Sequence, residues 1–225
     1  MQIPFKKIFF FIIAAAYSLY NYGQSTVSAE IMTIGVHAFE KPNLQLFENT
    51  LDAQGNFSTE PGLSLSYESF ISENRASLQF TQAFFADAAG QLAGFTEISF
   101  RRLIFHKWRS SVYLGVGPAL TYRNSWAKLS YGSIVYKPET KYYNDGKWEI
   151  KPYAIAKLEY DVYIGNNSDL MLGVMYGHSY KTFTATLGYR YWISTKVLHS
   201  KNCHCKDKYK AKPKDWFKNI KRWFS

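Results

Sequence analysis

From Ala29 to Trp192 the chain alternates polar and apolar residues in short runs. A two-residue period is the mark of a β-strand whose faces meet different surroundings. Divided at its turn signals, the pattern predicts eight strands: Ala29–Phe39, Gly62–Ile71, Arg75–Phe85, Gln91–Phe105, Ser110–Arg123, Glu149–Tyr163, Asp169–Ser179 and Thr182–Trp192. Alternation is clearest in the sixth. There Ala154, Ala156, Leu158, Tyr160 and Val162 form one row, against Tyr153, Ile155, Lys157, Glu159 and Asp161. The eighth sets Phe183, Ala185, Leu187, Tyr189 and Tyr191 against Thr182, Thr184, Thr186, Gly188 and Arg190. In the fifth, Val112, Leu114, Val116, Pro118 and Leu120 oppose Ser111, Tyr113, Gly115, Gly117, Ala119 and Thr121. Pro118 lacks an N–H and is expected at a bulge or a weakly paired position. The first segment alternates least well.

Most segments have the roughly 9–11 residues that a tilted strand needs to cross a bilayer. Ser72-Glu73-Asn74, His106-Lys107-Trp108-Arg109 and Ile164-Gly165-Asn166-Asn167-Ser168 are tight connections, whereas Glu40–Pro61 and Asn124–Trp148 are long. Short turns on one side and longer loops on the other are the habit of outer-membrane barrels. An even strand count returns the chain to the side on which it entered.

Periodicity does not say which row faces inward. A soluble, lipocalin-like periplasmic barrel would put the apolar row inside. Three features favour the membrane-spanning alternative. Aromatic residues gather near strand ends (Phe105, Trp108, Tyr122, Trp126, Tyr163, Tyr180, Tyr191, Trp192), where girdles belong. The small residues of the fifth strand suit a narrow lumen, and the C-terminal residues have a membrane-seeking pattern. The expected fold is therefore all-β: an antiparallel, up-and-down, eight-stranded transmembrane β-barrel over residues 24–195, with a basic tail over 196–225. Its lumen would hold Glu68, Glu97, Arg101, Lys157, Glu159, Asp161 and Arg190. At eight strands side chains nearly fill the interior, so these charges are expected to pair as a plug.

Composition agrees with this. The chain is 47% hydrophobic and 18% aromatic, yet its mean hydropathy is −0.27 because alternating strands never add up to a long apolar window. Residues 1–23 read as an export signal: Lys6 and Lys7 precede the apolar run Ile8–Ala16, and small polar residues follow at Tyr22-Gly23-Gln24-Ser25. The net charge of +10 is concentrated. Residues 25–195 carry 15 Lys or Arg against 15 Asp or Glu, whereas residues 196–225 carry ten against two, a net of +8. The basic balance thus describes one appendage, and an exported chain is not expected to meet nucleic acid.

The organisation of residues 27–193 resembles the small outer-membrane β-barrel proteins as a class. Some members of that class remove acyl chains from lipid A, with a catalytic His and Ser on a late strand, one residue between them, so that both face the same way. The nearest match here is Gly177-His178-Ser179-Tyr180, in which His178 and Ser179 are adjacent. In a strand they would face opposite ways, and the following strand offers Thr184, Thr186 and Arg190 but no carboxylate. His199, Cys203, His204 and Cys205 have metal-binding side chains without the spacing of a structural zinc site; in an oxidising compartment the two Cys form a disulfide or pair between chains. In the tail, Trp216, Phe217, Ile220, Trp223 and Phe224 fall on one face of a short amphipathic helix beginning at Asp215. Such a helix would lie against an anionic membrane surface or an envelope component. No phosphate-binding Gly loop is present, and no cofactor is expected.

The sequence thus predicts a non-enzymatic outer-membrane protein, structural, adhesive or receptor-like through its outer loops, with outer-membrane lipids as its partners. A lipid A acyl hydrolase is the second reading, and a soluble periplasmic binding barrel the third.

Overall fold

The computed structural model describes residues 24–39, 43–72, 75–129, 136–137, 142–144, 147–165, 167–179 and 181–193. The export signal, the tail with Trp216, Phe217, Ile220, Trp223 and Phe224, and the group His199, Cys203, His204 and Cys205 lie outside the described residues. Among the described residues nine strands are seen: β1 Ser25–Val36, β2 Phe57–Ser72, β3 Ala76–Ala86, β4 Leu92–Lys107, β5 Ser110–Asn124, β6 Tyr142–Asn144, β7 Trp148–Gly165, β8 Ser168–Tyr176 and β9 Phe183–Trp192. Strand β6 is a three-residue segment of the long loop that pairs antiparallel with the start of β7. The other eight form a closed, antiparallel, up-and-down barrel: neighbours in sequence pair, β1 pairs with β9, and β5 pairs with β7 across the loop.

Inward and outward rows decide what kind of barrel this is. Ile31, Leu65, Ile98 and Leu172 point outward and are 55–57% exposed, while Glu68 and Arg190 point inward at 1% and 0%. The apolar row continues around the barrel through Leu63, Phe80, Leu114, Leu158 and Leu187. In water this belt would far exceed the roughly 300–600 Å² apolar patch of an ordinary soluble protein. A soluble barrel has the reverse polarity. The barrel is transmembrane.

Several strand bounds differ from the sequence reading, each for a local reason. β1 starts at Ser25 rather than Ala29, with Thr26, Ser28, Glu30 and Met32 facing inward. A bulge between Met32 and Ile34 then resets the alternation, which is why this segment's period is poor. β2 begins at Phe57, so Pro61 lies within it, at a point where the β1 pairing skips from Gly62 to Thr59 and no N–H is demanded. β8 ends at Tyr176 rather than Ser179. Pro118 sits where the β4–β5 pairing is interrupted between Glu97↔Ala119 and Phe100↔Val116, while Gly117 lets the strands close up there. A Cβ on Gly117 would stand 2.1 Å from the Ile98 carbonyl oxygen.

Two aromatics expected at the lipid girdle are inside. Trp192 stacks on Phe70 within the lumen, its indole N–H donating to Asp169 at 2.6 Å. Trp126 is buried beneath the loops at 3% exposure. Strand-end aromatics can close a narrow barrel as well as ring it.

The two long loops lie at one end, with the tight turns, the start of β1 and the end of β9 at the other. Strands β2, β4, β5 and β7, at 15–18 residues, overrun the roughly 9–11 needed to span.

Candidate functional site

The barrel body presents two polar clusters, separated by an apolar layer. The deeper one is built by the inward rows of β1, β2, β3, β4, β5, β7 and β9. Arg101 donates to Glu68 and Glu159; Arg190 donates to Glu159 and Asp161 and stands 3.5 Å from Glu68. Lys157 reaches both oxygens of Glu30 at 2.5 and 2.6 Å and Glu159 at 2.6 Å. Thr26 and Ser77 donate hydroxyls to Glu68. Both guanidinium groups lie over the Tyr113 ring, at 4.5 and 5.9 Å. Six of the seven lumen residues named from sequence therefore share one network. Glu97 is buried on the same row but lies beyond ion-pair distance of the three cations. Glu30 is a further member that sequence reasoning missed, because the strand frame that places it beside Thr26 and Ser28 starts at Ser25. Charges buried at this depth are tolerable only when paired and hydrogen-bonded, which this sharing achieves.

Apolar layers bound the network. On the tight-turn side Phe70, Tyr113 and Trp192 pack with Leu103; on the other side Met32, Phe85, Phe95, Ile155 and Met175 pack with three alanines. A polar centre closed by apolar layers, inside a shell with an apolar outer face, makes the class plain. The chain is a small transmembrane β-barrel. No family model and no curated protein matches it. Among solved structures it is similar to the attachment invasion locus protein Ail of Yersinia pestis, determined with the heparin analogue sucrose octasulfate (13% identity, 75% of this chain and 99% of that one, TM-score 0.42). It is also similar to a chain from the de novo design of transmembrane β-barrels (12% identity, 76% and 96%, TM-score 0.43). A third likeness is to the outer membrane protein OprG of Pseudomonas aeruginosa (9% identity, 76% and 95%, TM-score 0.39). At identities this low nothing about activity passes from them to this barrel.

The second cluster lies at the loop end, beyond the Met32–Phe85 layer. His37 follows β1, Ser58 and Glu60 come from β2, and His178 and Thr182 flank the β8–β9 hairpin. His37 Nε2 is 2.9 Å from Glu60 Oε1 and 2.8 Å from Ser58 Oγ, while His178 Nε2 is 3.0 Å from Glu60 Oε2. Thr182 donates its hydroxyl to the Ser179 carbonyl at 2.5 Å, so at 3.2 Å from His37 Nδ1 it accepts. Among the described residues His178 Nδ1 has no hydrogen-bond partner, and its ring meets Phe85 edge-on at 5.1 Å. Gly35 makes room for the carboxylate: a Cβ there would stand 2.5 Å from Glu60 Cδ.

Chemically this arrangement is a clamp. A Ser–His–acid relay needs the acid on the nitrogen opposite the serine, whereas here Ser58 and Glu60 share Nε2 and Thr182 occupies Nδ1. Ser58 is also fully buried. The sequence reading looked for a carboxylate for His178 on the following strand. The structure supplies it from β2, at Glu60. His178 and Ser179 belong to a hairpin rather than a strand, and among the described residues His178 bonds Glu60 and not Ser179.

Above the clamp the loops fold onto the mouth. Leu46, Ala89, Trp126 and Tyr136 form a small core, and Asn43 exchanges two hydrogen bonds with the Lys137 backbone, at 3.0 and 3.1 Å. The Asp87 carboxylate accepts from Trp126 Nε1 at 2.7 Å and from the N–H groups of Ala89 and Gln91. Burial pushes the Asp87 carboxyl up to about 6, against the pull of these donors and of Arg123. Arg123 pairs with Glu149 at 3.0 Å, donates to the Tyr136 hydroxyl at 3.0 Å and covers the Trp126 ring at 4.1 Å. Burial raises the Tyr136 phenol, Arg123 opposes that shift, and the hydrogen bond to Glu149 adds to it. None of these cap pairings was readable from sequence.

Proposed function

We propose that this barrel is a non-conducting, non-enzymatic component of the outer membrane. Both termini of the chain face the periplasm, and the loop-built cap at the opposite end of the barrel is the working surface. The observation that carries this is the filling of the lumen. Two apolar layers, an ion network, the His–Glu clamp and the cap core follow one another along the axis. Small polar solutes have no wetted path through such a stack, and the buried charges find their partners within it. The orientation is supported by the tight turns at the end where the barrel's chain enters and leaves. On this reading residues 1–23 direct export, and residues 196–225 form a basic periplasmic tail whose Trp216–Phe224 face rests on the membrane surface. The cap exposes Phe39, Leu44, Leu51 and Phe57, an apolar and aromatic surface of the kind that recognises a partner or a surface.

Three measurements on one strain test this. The purified protein in planar bilayers should give no ion conductance, and steps of conductance would overturn the plugged-barrel reading. Protease added to intact cells should cut the cap loops and spare the tail; a cleaved tail would reverse the orientation. Deleting the gene should leave the lipid A acyl pattern unchanged, whereas an extra acyl chain in the mutant would restore the hydrolase reading.

A further inference from the structure

Every described Asp or Glu on a strand points into the barrel and is buried: Glu30, Glu60, Glu68, Glu97, Glu149, Glu159, Asp161 and Asp169. The outward strand surface therefore takes its charge from cations, and at the tight-turn end three of these gather on one hairpin, with Arg75 exposed at the neighbouring turn. Arg102 is exposed in the lipid-facing row of β4, between Phe100 and Ile104. An arginine in that row has to extend along the barrel to the nearest phosphates. Lys107 ends β4, and Trp108 and Arg109 make the two-residue turn before Ser110; all three are exposed.

Trp108 is the unusual choice. It stands at φ 55 in the first turn position, where Gly or Asn is the unstrained residue; in the β7–β8 turn the left-handed position, the second, is filled by Asn167 at φ 57. A bulky aromatic in that conformation is strained, and this one is also 78% exposed. The Arg109 guanidinium lies 5.4 Å from the ring centre. Trp108 lies three residues beyond Phe105, about 10 Å along a strand and about 7 Å in depth at the usual tilt. That depth is the headgroup region of a bilayer, where indole rings partition and where cations meet phosphate.

We propose that Arg102, Lys107, Trp108 and Arg109 form a clamp for the phosphate headgroup of an anionic phospholipid in the periplasmic leaflet, with the indole seated at the glycerol–acyl boundary. The leaflet assignment rests on the orientation given under the proposed function. The headgroup chemistry rests on this hairpin.

The test folds the full chain into phosphatidylcholine vesicles containing trace spin-labelled phosphatidylglycerol or phosphatidylcholine. The fraction of each label immobilised at the protein is then read by electron paramagnetic resonance. The parent protein should prefer phosphatidylglycerol, and Arg102→Gln, Lys107→Gln, Arg109→Gln together should lower that preference about fivefold or more. Trp108→Gly relieves the turn and so preserves folding; it should lower the preference by a smaller factor. Equal selectivity in the parent and the triple variant would overturn the clamp and assign anionic lipid to the tail. Lack of selectivity in the parent would overturn it as well. Failure of the parent to enter vesicles as a band that shifts on boiling would sink the barrel reading itself, before any lipid label is used.

Discussion

Replacing Glu159 with Gln removes one charge and almost no volume, so it isolates what the shared carboxylate contributes. Glu159 meets three cations, Arg101, Arg190 and Lys157, and is 1% exposed. Breaking a buried ion pair costs about 3–5 kcal/mol, because it leaves charge without compensation. Here each cation keeps another acid: Arg101 keeps Glu68, Arg190 keeps Asp161, and Lys157 keeps Glu30. That retention puts the loss at the low end, about 3 kcal/mol. With a urea dependence of about 2 kcal/mol per molar, the unfolding midpoint should fall by about 1.5 M. The assay is a urea titration of vesicle-folded protein, scored by the fraction of unheated protein that migrates as the compact band. Glu97→Gln is the control, since Glu97 is equally inward but lies outside the network's ion pairs; it should shift the midpoint by less than about 0.5 M. If Glu159→Gln moved the midpoint no further than Glu97→Gln, the network would not be holding the barrel, and the plug argument would lose its energetic basis.

The cap should respond to pH through Asp87. Its carboxyl is raised from 3.8 to about 6 in the folded chain, so the protonated form is the one that folding favours. The resulting contribution is fully present below about pH 4 and is lost as pH rises through about 6; a shift of that size corresponds to roughly 3 kcal/mol. Protease should therefore cut the loops faster at pH 7.5 than at pH 5, and Asp87→Asn should flatten the difference; an unchanged pH ratio in that variant would refute the assignment. Gly117→Ala should destabilise the barrel by about 1–3 kcal/mol, because the added Cβ meets the β4 backbone, at the Ile98 oxygen (2.1 Å) and Ser99 Cα (2.5 Å), rather than a side chain that can swing away. A midpoint equal to the parent's in urea would show that β4 moves freely there.

The barrel was legible because its rule is local. Side chains on a strand alternate, so Lys157, Glu159 and Asp161 had to share a face, and Leu158 and Tyr160 the other. Where the rule is interrupted, legibility fails with it. The bulge after Met32 hid the frame of β1 and with it Glu30, and the irregular pairing around Pro61 lengthened the first loop in the sequence reading at the expense of β2. Aromatic residues at strand ends were ambiguous for a different reason. Trp192 and Tyr191 are adjacent and differ only in face: one stacks on Phe70 in the lumen and the other meets lipid.

The clamp was invisible because alternation gives the face of a residue and not its height in the barrel. Height follows from strand tilt and from the β1–β9 closure, which brings His37 and Glu60 to His178 and Thr182 across sequence separations of 118 and 145 residues. Nothing around any one of these residues announces the others. Gly35 carried the nearest signal, as a residue without a side chain at the end of a strand, and its meaning is supplied only by Glu60. The same logic explains why the activity is sought at the rims. Interior residues of a closed, narrow barrel satisfy one another, so their chemistry is consumed in holding the fold. Residues that break the rule while exposed, as Trp108 does in its strained turn and Arg102 does in a lipid-facing row, take no part in the lumen pairings among the described residues, and the surrounding membrane is where their explanation is sought.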